Sequence, residues 1–136
     1  MFDWVISPFE SIGPLRFGAT ASEVQSLTKG IPSPFAKGLS PNLVEAYHEL
    51  GFHAHYDAIG ELEFVEAFLP CRPIYAGVEL LRPNLPDVVG ELAALGLQFR
   101  EDGEGVWFDQ HGFALYAPEG RVEAVSAFRR SYDTGA

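Results

Sequence analysis

The chain is poor in cysteine, in positive charge and in long apolar runs, and each shortage removes a class of function. Its 136 residues hold one cysteine, Cys71. A single thiol excludes an internal disulfide framework and any cysteine-based zinc cluster. Nine basic side chains stand against 19 acidic ones, a formal net charge of −10. That balance excludes a uniformly basic nucleic-acid footprint and disfavours unassisted phosphate binding. No apolar run approaches the ~18 residues of a membrane span, so neither nucleic acid nor membrane is an expected partner. The start, Met1-Phe2-Asp3-Trp4, lacks the basic and long apolar regions of a secretory signal, and a cytoplasmic location is expected. No Gly-x-Ser-x-Gly elbow occurs, which argues against a serine hydrolase. Asp102-Gly103-Glu104-Gly105 has no helix signal after it and carries the wrong charge for a phosphate cradle, so no cofactor is implied. What is present suffices for a core: 47% hydrophobic residues, with 11 Phe, 5 Tyr and 2 Trp. Length and composition together suit one folded, soluble domain spanning 1–136.

The sequence repeats itself. Residues 54–68 align with residues 114–128 at an offset of 60, and seven of fifteen positions are identical, among them Ala54/Ala114, Tyr56/Tyr116, Gly60/Gly120, Val65/Val125 and Ala67/Ala127. Upstream, at an offset of 64, Gly13 faces Gly77, Thr20 faces Asn84, Glu23 faces Asp87 and Val24 faces Val88. Two units, about 13–68 and 77–128, are read from this, joined by Pro70-Cys71-Arg72-Pro73. Each opens on a helix signal. Thr20 and Glu23 form a capping box. Asn84 and Asp87 are a shorter version of it, with Pro86 suited to the first turn. Val88, Leu92 and Leu95 give the second helix an apolar face ended by Gly96, while Val24 and Leu27 give the first a weaker one ended by Gly30 and Pro32.

The remainder of each unit reads as a β-meander. The second holds strands over Leu97–Glu101, Val106–Asp109, Phe113–Ala117 and Arg121–Phe128; the first holds Val44–Leu50, Phe52–Asp57 and Glu61–Leu69, punctuated by Gly51 and Gly60. Ile31–Pro41, with its three prolines and one glycine, reads as a loop where the second unit has its extra strand. Residues 1–12 are too apolar for a free tail and are expected to pack on the core, whereas the last five look frayed. The expected fold is therefore α+β: two tandem helix-plus-antiparallel-β-meander repeats forming a helix-covered antiparallel sheet. Leu62, Phe64, Glu66 and Phe68 alternate along one strand and are too apolar for a solvated face, so both sheet faces are partly covered or one is a contact surface.

Phe17-Gly18-Ala19-Thr20-Ala21-Ser22-Glu23-Val24 resembles the Gly-Met-Thr-x-x-Glu/Gln-Val helix start of the β-lactamase inhibitory protein family and of the small outer-membrane-assembly lipoproteins that share its fold. The resemblance implies a non-catalytic, protein-binding scaffold with the sheet surface as its contact site. Ala19 stands where the motif has Met, and no disulfide per unit can form here. In its excess of Arg over Lys and its Gly13-Pro14-Leu15-Arg16-Phe17-Gly18 start the chain is also similar to small acidic proteins of actinobacterial type, some of them immunity proteins for toxins.

Candidate sites are few. His53, His55 and Asp57 share one strand face if the strand is regular, and two imidazoles with a carboxylate could hold zinc or iron; the plainer reading is a polar strand face. His48 could join them from a neighbouring strand, and His111 sits at a turn. Cys71 beside Arg72 could have a lowered pKa, though a linker cysteine is more often incidental. Glu61, Glu63 and Glu66, and Glu101, Asp102 and Glu104, form carboxylate clusters that read most simply as solvated strand and turn residues. Tyr47, Trp107 and Tyr116 lie on strands, where they serve as core or as interface anchors. The acidic surface would steer a basic partner, or serve solubility. The expected function is a non-catalytic protein-binding module, an inhibitor or toxin-neutralising immunity protein, with a basic protein as partner and Tyr47, His53, His55, Trp107 and Tyr116 as candidate contact residues. The alternatives are a metal-binding protein or enzyme using His53, His55 and Asp57, and a homo-oligomer paired through strand edges.

Overall fold

The computed structural model describes residues 2–37 and 40–134, and the side chains of all of these except 35–37, 40 and 41. The chain opens with a small antiparallel sheet, β1 (Ile6–Ser7), β2 (Ser11–Ile12) and β3 (Leu15–Arg16), and enters α1 (Ala21–Thr28). Four strands follow: β4 (Ser33–Lys37), β5 (Ser40–Tyr47), β6 (Phe52–Tyr56) and β7 (Leu62–Ala67). A short hairpin, β8 (Ile74–Tyr75) and β9 (Val78–Glu79), leads to α2 (Leu85–Ala94). Then come β10 (Arg100–Asp102), β11 (Gly105–Phe108), β12 (Phe113–Tyr116) and β13 (Ala124–Phe128). The two sets of four strands join in one antiparallel sheet of order β10-β11-β12-β13-β7-β6-β5-β4. The fold is α+β and dominated by sheet, since its helices have only 8 and 10 residues. Among the described residues no helix is long and apolar enough to cross a membrane.

Both helix starts follow the capping chemistry of the sequence. The Glu23 amide donates to Thr20 Oγ1 at 3.2 Å and the Thr20 amide to Glu23 Oε1 at 3.0 Å, satisfying two otherwise orphaned N–H groups. The Asp87 amide donates to Asn84 Oδ1 at 3.3 Å, and Pro86 occupies the first turn of α2. The apolar stripes differ from expectation. Leu27 is 48% exposed and Leu95 53% exposed. The buried positions are Val24 with Thr28, and Val88 with Leu92. In helices this short the stripe runs i, i+4, and Thr28 is tolerated inside because its hydroxyl donates to the Val24 carbonyl at 2.9 Å.

One face of the sheet is the core. Reading across the ladder, Tyr47 pairs with Phe52, Phe52 with Ala67, Ala67 with Val125, Val125 with Leu115, and Leu115 with Val106. These residues form a single cluster with Val24 of α1, Val88 and Leu92 of α2, and Trp4, Ile6 and Ile12 of the amino-terminal segment, which packs inward as its composition requires. Each such large side chain contributes roughly 1.5–3 kcal/mol by leaving water.

The two meanders meet at β7 and β13 with a local two-fold register. Val125 faces Ala67, Ser126 faces Glu66 and Ala127 faces Val65, so residues 60 apart exchange places about the Glu66/Ser126 pair. Outward from this axis the correspondence becomes 61. Tyr47 stacks on Phe52 at 4.6 Å and 15°, and Phe108 stacks on Phe113 at 4.8 Å and 16°. The turns between these pairs end in Gly51 and Gly112, both at positive φ, whose carbonyls accept from the Phe68 and Phe128 amides. The sequence pairing of Ala54 with Ala114 and Tyr56 with Tyr116 is therefore out of register with the ladder. Ala54 faces Val65, but Ala114 faces Ser126. His53 is the residue that stands where Ala114 does. The slip is absorbed between β6 and β7, where Tyr56 pairs with Leu62 and His55 with Phe64, leaving Glu63 as an extra residue. One residue of slip reverses a strand's faces: Tyr56 is buried in the core and Tyr116 is 44% exposed.

The expected loop over Ile31–Pro41 contains β4 and the start of β5 instead; residues 38 and 39 lie outside the described ones. Pro34 is accommodated because β4 is the edge of the sheet, where a missing N–H need not break a ladder. Tyr132, assigned to the frayed end, packs against Phe64 at 4.8 Å and Phe128 at 5.7 Å. Residues 135 and 136 of that end lie outside the described residues.

Candidate functional site

The second face of the sheet, the outer face, is built from the alternate residues of the same strands. Across its middle runs the row Ala46, His53, Glu66, Ser126, Ala114, Trp107, Arg100, each paired with the next. Beside it, His55 pairs with Phe64 and Phe64 with Phe128 on one side of the row, and Ala124 with Tyr116 and Tyr116 with Gly105 on the other.

One end of this face is closed by the chain itself. Phe64, Phe128 and Ala114 form a second buried cluster with Phe9, Trp107 and Tyr132 packed on it. Past β13 the chain is tied down on both sides of Tyr132. Arg129 donates to Asp57 Oδ2 at 2.9 Å and Glu61 Oε1 at 3.3 Å, and Arg100 Nη2 donates to the Thr134 carbonyl at 3.3 Å.

The other end is open and hollow. A recess of about 330 Å³ is lined by Phe64, Trp107, Tyr116, Glu66, Ala114 and Ser126, with Asp102 and Glu104 at its edge. The hollow exists because small side chains, Ala114, Ser126 and Gly105, occupy positions ringed by large ones. Gly105 leaves space that the indole fills: a Cβ there would stand 3.2 Å from Trp107 Nε1, tighter than ordinary contact.

The electrostatics of the recess are one-sided. Arg100, whose guanidinium lies 5.0 Å over the Trp107 ring, is held by Asp109 and, at 3.4 Å, by Asp102. Glu66 faces His53 Nδ1 at 3.5 Å. Burial lowers the His53 pKa from its ordinary value, outweighing the opposing pull of Glu66, so the imidazole is mostly neutral near pH 7 and gives Glu66 little counter-charge. Glu104, Glu123, Glu66 and Glu119 together with burial raise the Tyr116 hydroxyl, the Glu104 charge being the largest cause. An exposed tyrosine thus sits among four carboxylates.

Of the five expected contact residues, His53, His55, Trp107 and Tyr116 lie on the outer face, the last two at the recess. Tyr47 does not. It is 1% exposed on the core face, stacked on Phe52, and burial followed by the Glu45 charge pushes its hydroxyl up to about 12. The face was missed because the turn of residues 48–51 sets which side Tyr47 takes, and alternation alone does not fix that. Phe64 and Glu66 stand on the strand face that the sequence marks as covered or as a contact surface, whereas Ala114 and Ser126 are not among the expected contact residues. The signal for them was the run of small residues at alternate positions, Ala114 in one strand and Ala124 and Ser126 in its neighbour.

The metal candidate does not assemble. The strand ends at Tyr56, and the Asp57 carboxylate caps the following turn: Oδ1 accepts from the Ile59 and Glu61 amides at 3.0 and 2.9 Å, and Oδ2 is held by Arg129. Among the described residues no group of three or more His, Cys, Asp or Glu side chains is placed to hold an ion. His111 bonds through Nδ1 with the Tyr75 hydroxyl at 3.1 Å. Cys71 is 1% exposed, and burial pushes its thiol up to about 12, which fits the reading of an incidental linker cysteine rather than one lowered by Arg72. Comparison with protein-family models, with curated proteins and with solved structures found no match.

Proposed function

We propose that this chain is a non-catalytic, cytosolic protein-binding module that docks a partner with a basic surface on the outer face of its sheet, and that neutralising that partner, as an inhibitor or immunity protein does, is its role. In this reading the chain is two tandem helix-plus-meander units with the helices over the core face, the arrangement implied by its resemblance to the β-lactamase inhibitory protein family. The two-fold register at Glu66/Ser126 and the matching aromatic stacks support the duplication.

The observation that carries the docking role is the recess: aromatic walls, a floor of small residues and an excess of carboxylates on a continuous eight-stranded sheet. Aromatic side chains in partly desolvated hollows are the usual anchors of protein interfaces, and a surface of one charge speeds encounter with its opposite. The test is affinity capture from the source cell with three baits. Wild type should retain one basic protein, less of it as salt rises. Tyr116→Ala and Ala114→Arg should lose it, and Gln25→Ala on the exposed side of α1 should not. Recovery of nothing reproducible, or retention by the outer-face variants, would overturn the reading.

A further inference from the structure

The recess is more selective than a flat acidic patch. Its floor is Ala114 and Ser126, and its walls are Phe64, Trp107 and Tyr116, of which Tyr116 is exposed and Phe64 is largely buried. Glu66 enters from β7 and Glu104 from the β10–β11 turn, on opposite sides of the hollow. No Lys or Arg lines it. The molecule already satisfies one cation in this way on the same face: Arg100 lies over Trp107 between Asp102 and Asp109.

We infer that the recess is an anchor site for one arginine side chain of a docked protein, its aliphatic stem over Ala114 and Ser126 and its guanidinium between the aromatic walls and the Glu66 and Glu104 carboxylates. The inference rests on the docking reading above and adds the chemistry of the contact. Three features favour guanidinium over ammonium. Arginine is planar and stacks on aromatic faces, it is the more weakly hydrated of the two cations, and its fork of donors can reach two carboxylates at once. A neutral group of the same shape would leave the carboxylates without a counter-charge, and an acidic one would be repelled by Glu66, Glu104, Glu119 and Glu123, which all act on Tyr116.

The experiment uses the whole chain and defined probes. Amide and indole NMR signals are followed while N-acetyl-Gly-Arg-Gly-amide is added, with the citrulline and lysine analogues as comparators. The arginine peptide should give saturable shifts at the Trp107 indole, Tyr116 and Ser126. The citrulline peptide, identical in shape and uncharged, should give none. The lysine peptide should bind several-fold more weakly. Glu66→Gln and Glu104→Gln should each weaken the arginine peptide by about three- to fivefold, the size of an exposed charge contact, with unchanged melting temperature. Absence of saturable shifts at these groups, equal binding of the citrulline peptide, or indifference to both glutamine variants would overturn the anchor; equal binding of lysine would overturn the choice of guanidinium. A partner that still needs the outer face but binds the double glutamine variant undiminished would also end this inference while leaving the docking reading intact. Loss of the docking reading itself would show as a partner indifferent to Ala114→Arg.

Discussion

The meanders β4–β7 and β10–β13 share strand order, turn length between the stacked aromatics and a common axis, yet they present different outer surfaces. Where one places His53 and His55, the other places Ala114 and Tyr116; where one has Phe64 and Glu66, the other has Ala124 and Ser126. The core positions keep their size, Tyr47 and Phe52 against Phe108 and Phe113. Three of these four outward positions shrink in the second half, all but the one that becomes Tyr116, and the recess opens there. Fold is maintained by one set of alternate residues, and surface chemistry is varied through the other, which the pleat makes independent. Site, not scaffold, distinguishes the halves.

If the two stacks do the same work, breaking either should cost the same. Phe52→Ala and Phe113→Ala are each expected to lose about 3–5 kcal/mol, within about 1 kcal/mol of each other, measured by urea unfolding. A large difference would mean that the halves are not equivalent in the core. The paired glycines sharpen the point. A Cβ at Gly51 would stand 2.7 Å from the Cys71 amide nitrogen and would also strike the Phe68 carbonyl, with φ at +87°; Gly51→Ala should lose about 2–4 kcal/mol. At Gly112 (φ +72°) the nearest atoms belong to Phe9 at 3.0 Å, against three contacts under 3 Å at Gly51, so Gly112→Ala should lose about 1–2 kcal/mol.

The outer face should respond differently. His53→Ala with His55→Tyr copies two of these four outward differences onto the first half and should change stability by less than about 1 kcal/mol while widening the hollow toward β6, read as arginine-peptide shifts that extend to residues 53 and 55 in the same NMR titration. The smallest effect is the pH response of His53. Its folded pKa lies below the ordinary value, so the unfolded chain binds more protons there. Stability is then complete above about pH 6.5 and falls as pH drops from there through the folded value. The groups facing it are Glu66, His48 and the Phe68 ring. His53→Gln should flatten that part of a melting-temperature profile between pH 5 and 8.

Much of the scaffold was legible because its signals are local. Thr20/Glu23 and Asn84/Asp87 mark the helix starts, and Gly51, Gly60, Gly112 and Gly120 mark turns whose positive φ only glycine adopts easily. What was not legible depends on register. The extra residue Glu63 sends Leu62 and Phe64 to opposite faces, and the shortened β6 removes Asp57 from the His53–His55 side, so period-2 reasoning failed at both places. β4 was hidden by Pro34, whose meaning changes at a sheet edge. The site was half visible. Trp107 and Tyr116 stood out by type, but a hollow is made by what is missing from it, and Ala114 and Ser126 carry no chemistry to notice.

The most direct test of the account is a residue-by-residue NMR map of the arginine tripeptide on the intact protein, comparing the two halves of the outer face. The account predicts saturable changes concentrated at Glu66, Trp107, Ala114, Tyr116 and Ser126, with little at Ala46, His53 and His55. Changes of equal size across both halves, or centred on the core-side residues around Tyr47, would contradict it.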